Sequence, residues 1–299
     1  MNWWQHVRAW CGRGPEFREY RLRCPDARGS HRMAFRVWGD PGNPRVLVCV
    51  HGLTRNSHDF DFLARALAGQ YRVVCPDVVG RGDSDWLADK GAYGIPQYVS
   101  DMLVLLARLD VEQVDWVGTS MGGLIGMSLA ALSDSPIRRL VLNDVGPVIT
   151  RTSLQRIAAY VGQPLVWDSL EAADAYFRQI CAPFGSLTEA QWQHLIQHSL
   201  ARDGDGHWHF TYDPDIALPF RTAYLLQDVE LWPLYEAIRC PVLALRGAAS
   251  DLLTREVWLA MGERGPRATL IEIPGVGHAP MLMEEGQIRR VRDYLLAPE

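Results

Sequence analysis

The sequence predicts an α/β protein with a doubly wound, mostly parallel sheet and an inserted helical cap. Short apolar runs, typical of strands covered on both faces, alternate with segments of helical apolar spacing. This alternation stops near residue 147 and resumes near residue 233, and the stretch between them shows only helical patterns. We therefore predict a core formed by residues 1–146 and 233–299 and a cap, or lid, formed by residues 147–232.

The individual elements follow from apolar spacing and from the turn-forming residues between them. Residues 17–24 and 31–38 flank a turn-rich stretch and predict a β-hairpin. Further strands are predicted over residues 45–50, 71–75, 114–117, 139–143, 241–245 and 270–273. Helices are predicted over residues 60–67, 98–109, 154–161, 170–180, 189–200 and 288–296, with another beginning after Ser120.

Composition narrows the class of protein. The 299 residues are 48% hydrophobic, which is enough for a large core, and the net charge of -5 offers no basic field for nucleic acid. No run of 18 apolar residues and no secretory signal is found, so we expect a soluble cytoplasmic protein without a membrane span. The six cysteines lack metal-type spacing and are expected to be free thiols. The oligomeric state stays open.

One motif stands between a predicted strand and a predicted helix. Gly118, Ser120 and Gly122 form the pattern G-x-S-x-G, in which a serine occupies a sharp strand-to-helix turn. The flanking glycines remove side chains that would clash in such a turn. The pattern favours Ser120 as a nucleophile, and the structural alternative is a serine that only caps the helix.

Three motifs resemble those of the α/β-hydrolase fold superfamily, in its serine-hydrolase, esterase-like branch with a helical cap, and they occur in the same order along the chain. In chain order they are the His51-Gly52-Leu53 segment, the loop over residues 76–84 and the strand-to-helix turn at residues 118–123, which we call the elbow. The resemblance extends over nearly the whole chain except the first ~15 residues and the cap. Val79 and Arg81 depart from it, because proline and histidine are common at these positions.

The resemblance implies a catalytic triad. Ser120 would be the nucleophile, and His278, in a glycine-rich loop near the carboxyl end, would be the base. Asp251 follows the strand before the one that leads to the histidine and is the predicted acid, whereas Asp144 is the alternative because some branches place the acid there. The backbone N–H groups of Leu53 and Met121 would form the oxyanion hole.

The predicted reaction is cleavage of a carboxylic ester or a related acyl substrate through an acyl-enzyme, with no metal, nucleotide or flavin. A lactonase or a carbon–carbon bond hydrolase on the same triad remains open, as does a slowly reacting ligand receptor of the same fold. The cap histidines, His194, His198, His207 and His209, lack partners at recognisable metal spacing, so we expect them to be solvated or packed in the lid.

Arg55 lies two residues after Leu53 and carries a separate hypothesis. A guanidinium facing the pocket would hold a substrate carboxylate by paired hydrogen bonds. The structural alternative is an arginine that pairs with a loop carboxylate, Asp59 or Asp83, and shapes the oxyanion loop.

Overall fold

Twelve strands are present in the computed structural model, which describes residues 16–221 and 227–298. The expectation that the chain starts without a targeting segment lies outside the described residues. In chain order the strands are β1 (Phe17–Asp26), β2 (Gly29–Trp38), β3 (Val46–Val50), β4 (Arg72–Pro76), β5 (Val114–Thr119), β6 (Ile137–Asn143), β7 (Val148–Ile149), β8 (Leu200–Arg202), β9 (Trp208–Phe210), β10 (Val229–Glu230), β11 (Val242–Gly247) and β12 (Thr269–Ile273).

Eight of these strands form the central sheet, in the order β1-β2-β4-β3-β5-β6-β11-β12. The β1–β2 hairpin and the β2–β4 pair are antiparallel, and all other pairs are parallel. Every residue of β3 is buried, as its unbroken apolar run predicts. The carboxyl ends of β3, β5, β6 and β11 therefore meet at one edge of the sheet, where ligand sites of such folds lie.

Nine α-helices are described: α1 (Asp61–Leu67), α2 (Ile95–Leu109), α3 (Met121–Ala130), α4 (Arg151–Tyr160), α5 (Leu170–Ile180), α6 (Glu189–Ser199), α7 (Trp232–Ala237), α8 (Arg255–Met261) and α9 (Glu285–Leu296). Helices α1 and α9 pack on one face of the sheet, and α2, α3 and α8 pack on the other. The predicted doubly wound fold is confirmed. Among the described helices, none has the length and apolar character that crossing a bilayer requires.

The cap region, which we define as residues 147–232, contains α4, α5 and α6 and two small sheets. Strands β7 and β10 pair antiparallel and so join the two ends of the region, while β8 and β9 form a hairpin. Strands of two or three residues are too short to show a sequence period, so they were not predicted. The helices begin at side-chain caps on Thr150, Ser169 and Thr188, the last in a capping box with Gln191.

Candidate active site

The G-x-S-x-G segment forms a sharp turn between β5 and α3. Ser120 has φ 51° and ψ -114°, a backbone conformation that is strained for a residue with a side chain. A Cβ on Gly118 would lie 2.2 Å from the carbonyl oxygen of Gly122, and a Cβ on Gly122 would lie 2.0 Å from that of Val50. Glycine is therefore required at both positions. The Ser120 side chain makes no capping hydrogen bond, which leaves its hydroxyl free for another partner.

That partner is His278, which links Ser120 to a buried carboxylate. The Nε2 atom of His278 lies 3.0 Å from Ser120 Oγ, and its Nδ1 atom lies 2.7 Å from Asp144 Oδ2. The Asp144 carboxylate is fully buried, and the histidine side chain is 13% exposed. The three side chains form one hydrogen-bonded series in which the histidine is positioned between a hydroxyl and an acceptor.

Asp144 is held in place by the end of the neighbouring strand. Its Oδ1 accepts a hydrogen bond from the Gly247 N–H at 2.8 Å, and its Oδ2 accepts one from the Ser250 hydroxyl at 2.6 Å. These donors compensate for the loss of water around the carboxylate and fix its orientation toward the imidazole. The parts played by Gly247 and Ser250 were not predicted, because no local pattern marks them.

The prediction that Asp251 contacts His278 is wrong, and the alternative acid, Asp144, takes that contact. Asp251 instead forms a bidentate pair with Arg156 of the cap region, at 2.5 and 3.0 Å, and its side chain is 54% exposed. The reason is geometric. Asp144 directly follows β6, whereas Asp251 lies four residues beyond β11, where the chain has turned away from the histidine toward α4.

The two predicted oxyanion donors lie beside the serine. Leu53, Met121 and Ser120 line the same cavity, and neither backbone N–H of the first two donates a hydrogen bond within the described part of the chain. Met121 is the first residue of α3, where the helix dipole also favours negative charge. Both residues thus bring a backbone N–H without an acceptor among the described residues to the cavity that contains Ser120.

Two buried side chains fix the loop that carries Leu53. His51 Nε2 accepts a hydrogen bond from the Val78 N–H at 2.9 Å, and its Nδ1 donates to the Gly52 carbonyl at 2.7 Å. This pattern requires the neutral ring, and burial correspondingly lowers the pKa of His51 to about 4. Arg81 donates from Nε to the Leu53 carbonyl at 2.8 Å. The loop is therefore fixed by hydrogen bonds to two successive carbonyls, those of Gly52 and Leu53.

Arg81 occupies the position at which the family that this sequence resembles commonly has histidine. Its side chain is fully buried. Its Nη1 donates to the Val79 carbonyl at 2.7 Å and to the Tyr98 hydroxyl at 2.9 Å, and its Nη2 faces the Met121 sulfur at 3.6 Å. Among the described residues, all its hydrogen bonds go to uncharged acceptors. A cation behind the oxyanion loop favours negative charge in front of it.

A cavity of about 320 Å³ opens from Ser120 toward the cap region. Apart from glycine and four hydroxyl-bearing residues, its described lining is apolar: Leu53, Tyr93, Gly94, Ile95, Tyr98, Ser120, Met121, Leu124, Ser128, Val145, Ile149, Leu154, Ile157, Ile216, Val229, Leu231, Leu234 and Leu252. The Tyr93 hydroxyl bonds Asp213 at 2.6 Å, and the Ser128 hydroxyl donates to a backbone carbonyl. The cavity thus suits an apolar group.

Arg55 does not line this cavity. Its guanidinium forms a bidentate pair with Asp59, at 3.0 and 2.6 Å, and Nη1 donates to Ser199 Oγ of α6 at 2.8 Å. The ring of Phe177 lies 5.2 Å from the guanidinium carbon. The structure therefore brings Arg55 to the first of its two candidate structural partners and to the cap region, rather than to a substrate.

The family model of the α/β-hydrolase fold matches residues 45–285. The chain belongs to this family and is a hydrolase. It is 52% identical, over 89% of its length and 94% of the other protein, to the 3-hydroxybutyrate-oligomer hydrolase of Cupriavidus necator. The solved structure of a Rickettsia typhi protein matches with a TM-score of 0.88, 31% identity and coverage of 95% of this chain and 100% of that chain. An α/β hydrolase of Novosphingobium aromaticivorans matches with a TM-score of 0.82, 36% identity and coverage of 94% and 98%.

Proposed function

We propose that this chain is a serine esterase that hydrolyses short oligomers of 3-hydroxybutyrate. The observation that carries the proposal is the hydrogen-bonded series from Asp144 through His278 to Ser120, at the mouth of an apolar cavity. The series supplies a nucleophile, a base and an orienting acid, and the cavity supplies a place for an acyl group. The 52% identical relative that is named for such oligomers supports this choice of substrate.

The reaction would proceed in two halves. Ser120 Oγ attacks the ester carbonyl while His278 Nε2 takes its proton, and Asp144 stabilises the imidazolium that forms. The tetrahedral oxyanion accepts hydrogen bonds from the backbone N–H groups of Leu53 and Met121. His278 then returns the proton to the leaving alcohol, which leaves an acyl-serine. A water molecule, deprotonated by His278, attacks the acyl-serine and releases the acid and the free Ser120 hydroxyl.

The cavity also suggests which end of the oligomer enters. A 3-hydroxybutyrate unit carries a methyl group and an ester, whereas the oligomer's one charge is the carboxylate at its end. Burying an unpaired carboxylate among apolar side chains costs several kcal/mol or more, and no charged side chain is found in the described lining. The acyl unit at the hydroxyl end therefore enters the cavity, and the carboxylate end remains outside on the leaving-alcohol side.

The other reactions considered from the sequence receive less support. A carbon–carbon bond hydrolase or lactonase acting on an acidic substrate needs a cation near the reacting carbonyl. The cation that the sequence offers for this role, Arg55, is already paired with Asp59. A slow ligand receptor does not need the complete and well-aligned series at Ser120. We also propose a cytoplasmic location, because the five described cysteines are all free.

The test is a comparison of 3-hydroxybutyrate dimer and trimer with p-nitrophenyl esters of acetate, butyrate and octanoate, with Ser120→Ala as the matched control. We expect turnover of the oligomers to monomer, measured by chromatography, and labelling of the wild type alone by a fluorophosphonate. Methyl esterification of the trimer carboxylate should change kcat/KM by less than about threefold, because the carboxylate stays in water in the bound substrate. A tenfold change in kcat/KM would correspond to about 1.4 kcal/mol of binding to the carboxylate. Turnover of p-nitrophenyl esters without turnover of oligomers would reject the substrate, and labelling without any turnover would reject the esterase.

A further inference from the structure

Four side chains with metal-binding atoms meet where α6 of the cap region passes the start of α1. His194 and His198 share one face of α6, because they are four residues apart. On the other side of this junction, His58 lies in the segment that leads into α1, and Asp61 is the first residue of α1. Donor atoms of His58, Asp61 and His198 all lie within 4.8 Å of one another. The group is distinct from the Ser120 site and is not used in the proposed mechanism.

The contacts within this group are close. His58 Nδ1 lies 2.7 Å from Asp61 Oδ2, and the rings of His58 and His198 stack with their centres 3.5 Å apart. His194 Nε2 donates to the His58 carbonyl at 2.9 Å and lies 3.5 Å from Asp61 Oδ2. Three imidazoles and a carboxylate are therefore gathered in a space that is largely shielded from water.

Among residues 16–221 and 227–298, several polar atoms of the group have no partner. Asp61 is 5% exposed, and its Oδ1 is buried without a hydrogen bond to any of these residues. Within the described residues, the ring of His198 makes only stacking and edge contacts with other histidines. Imidazole nitrogens without a hydrogen-bond partner and a carboxylate oxygen without a donor are the ligands that zinc-like ions take.

A second group of similar composition shows the contrast. His31 bonds Asp26 through Nδ1 at 3.2 Å and Asp101 through Nε2 at 3.0 Å, and the nearby Cys24 thiol bonds a carbonyl. Both ring nitrogens of His31 are thus occupied by protein acceptors. This group has the satisfied contacts of a structural histidine, and it fixes the β1–β2 hairpin to α2.

We propose that His58, Asp61 and His198 bind one divalent transition-metal ion of the zinc class, with His194 or a water as the fourth ligand. The ion would replace the proton between His58 Nδ1 and Asp61, and one of the two stacked rings would rotate to direct its lone pair at the ion. Tetrahedral coordination by two imidazoles and a carboxylate requires distances of about 2.0–2.2 Å. The ion would join the cap region to the core, as the hydrogen bond from Asn56 Nδ2 to the His198 carbonyl already does.

The test uses full-length protein stripped of metals with a chelator and then titrated with Co²⁺ and Zn²⁺. We expect one equivalent of Co²⁺ to give the visible absorption of a tetrahedral nitrogen and oxygen site. We also expect Zn²⁺ at 100-fold excess over Kd to raise Tm by about 5 °C, since binding to the native state alone stabilises it. Ester hydrolysis should persist in the stripped protein, so a failure of this proposal is separable from a failure of the proposed function.

The variants assign the site. His198→Gln and Asp61→Asn should each weaken binding of Co²⁺ more than about tenfold, the loss typical even of a group that only supports a metal ligand. His207→Gln, at a 43% exposed cap histidine, is the matched control and should bind as the wild type does. Circular dichroism at 25 °C checks that each variant is folded. The proposal is overturned if the wild type shows no saturable, equimolar binding of Co²⁺, a result that involves no variant. It is also overturned if folded His198→Gln and Asp61→Asn bind Co²⁺ as tightly as the wild type does.

Discussion

The two sides of the cavity are built in different ways. On the core side, Ser120 and Asp144 directly follow adjacent parallel strands, and their positions are set by the backbone and by glycines that have no room for a Cβ. On the cap side, the region is attached to the core partly through side-chain pairs: Arg55 with Ser199, Lys90 with Asp213, and Arg156 with Asp251. The proposed catalytic side chains are therefore positioned by the fold, whereas the shape of the cavity depends on side chains that substitution can change.

The cavity lining shows the same division. The core supplies Ser120, Met121 and Val145 to the lining, and the cap region supplies Leu154 and Ile157 of α4. We infer that changes on the core side alter the rate of reaction with every ester. Changes on the cap side should alter the choice among esters.

The largest effect is expected at the proposed nucleophile and base. Ser120→Ala and His278→Ala should each lower kcat by about 10⁴ to 10⁶, and the double variant should be little worse than either one, because the two groups act as one unit. The measurement is steady-state hydrolysis of p-nitrophenyl butyrate, with thermal unfolding as the control for folding. More than about a tenth of wild-type activity in Ser120→Ala would show that another group is the nucleophile.

The next effect separates the two carboxylates. Asp144→Asn should lower kcat by about 10⁴, because a neutral amide neither holds the required tautomer of His278 nor stabilises its cation. Asp251→Asn should change kcat less than about threefold, since it removes an exposed pair with Arg156 that is worth at most about 1 kcal/mol. Both are measured on the same ester. The reverse order would return the acid to Asp251 and contradict the hydrogen bonds described above.

These residues also show how far the sequence could predict the site. The elbow and the glycine-rich histidine loop are local patterns, because close contacts within a few residues decide them. The choice between Asp144 and Asp251 is not local. Strands β6 and β11 are neighbours, so both acids follow strands that end close together, and the turn after each strand decides which carboxylate reaches the imidazole. Spacing along the chain carries no record of that turn.

The cap region was predictable only in part for a related reason. Its helices have clear apolar spacing, and the structure has α5 over the predicted residues. The partners of its histidines were not predictable, because His58 precedes His194 by 136 residues and the two meet only when the cap region lies on the core. A pattern confined to one helix shows which face its side chains share but not what packs against that face.

The connection between the two sides is tested by Arg55→Met. The change leaves Asp59, which is 7% exposed, without its cation, and removing one partner of a buried pair typically costs 3–5 kcal/mol of unfolding free energy. Urea unfolding measures this loss. The double variant Arg55→Met/Asp59→Leu should recover much of it, because no uncompensated charge remains.

The same variant decides the role of Arg55 in substrate selection. If Arg55 shapes the loop, kcat/KM should fall by a similar factor for a neutral ester and for its carboxylate-bearing analogue, because the damaged loop serves both. A rise in KM confined to the acidic analogue would instead show that Arg55 binds the substrate carboxylate.

The smallest effect concerns His51, a buried core residue whose ring hydrogen-bonds to the Val78 N–H and the Gly52 carbonyl. Its pKa in the folded protein is about 4, below the ordinary value of 6.5, because burial disfavours the charged ring. Between these pH values the unfolded chain binds a proton that the native protein does not. The stability contributed by neutral His51 is therefore complete above pH 6.5 and is lost as the pH falls toward 4, by about 3 kcal/mol in total.

His51→Gln removes this titration, and the glutamine amide still offers one hydrogen-bond donor and one acceptor. As the pH falls from 7.5 to 4.5, the wild type should therefore lose about 2–3 kcal/mol more unfolding free energy than His51→Gln does. Urea unfolding at the two pH values measures this difference. Parallel pH profiles would mean that the ring gains a proton without cost, and the loop beneath the oxyanion donors would then be less tightly closed to water than its contacts indicate.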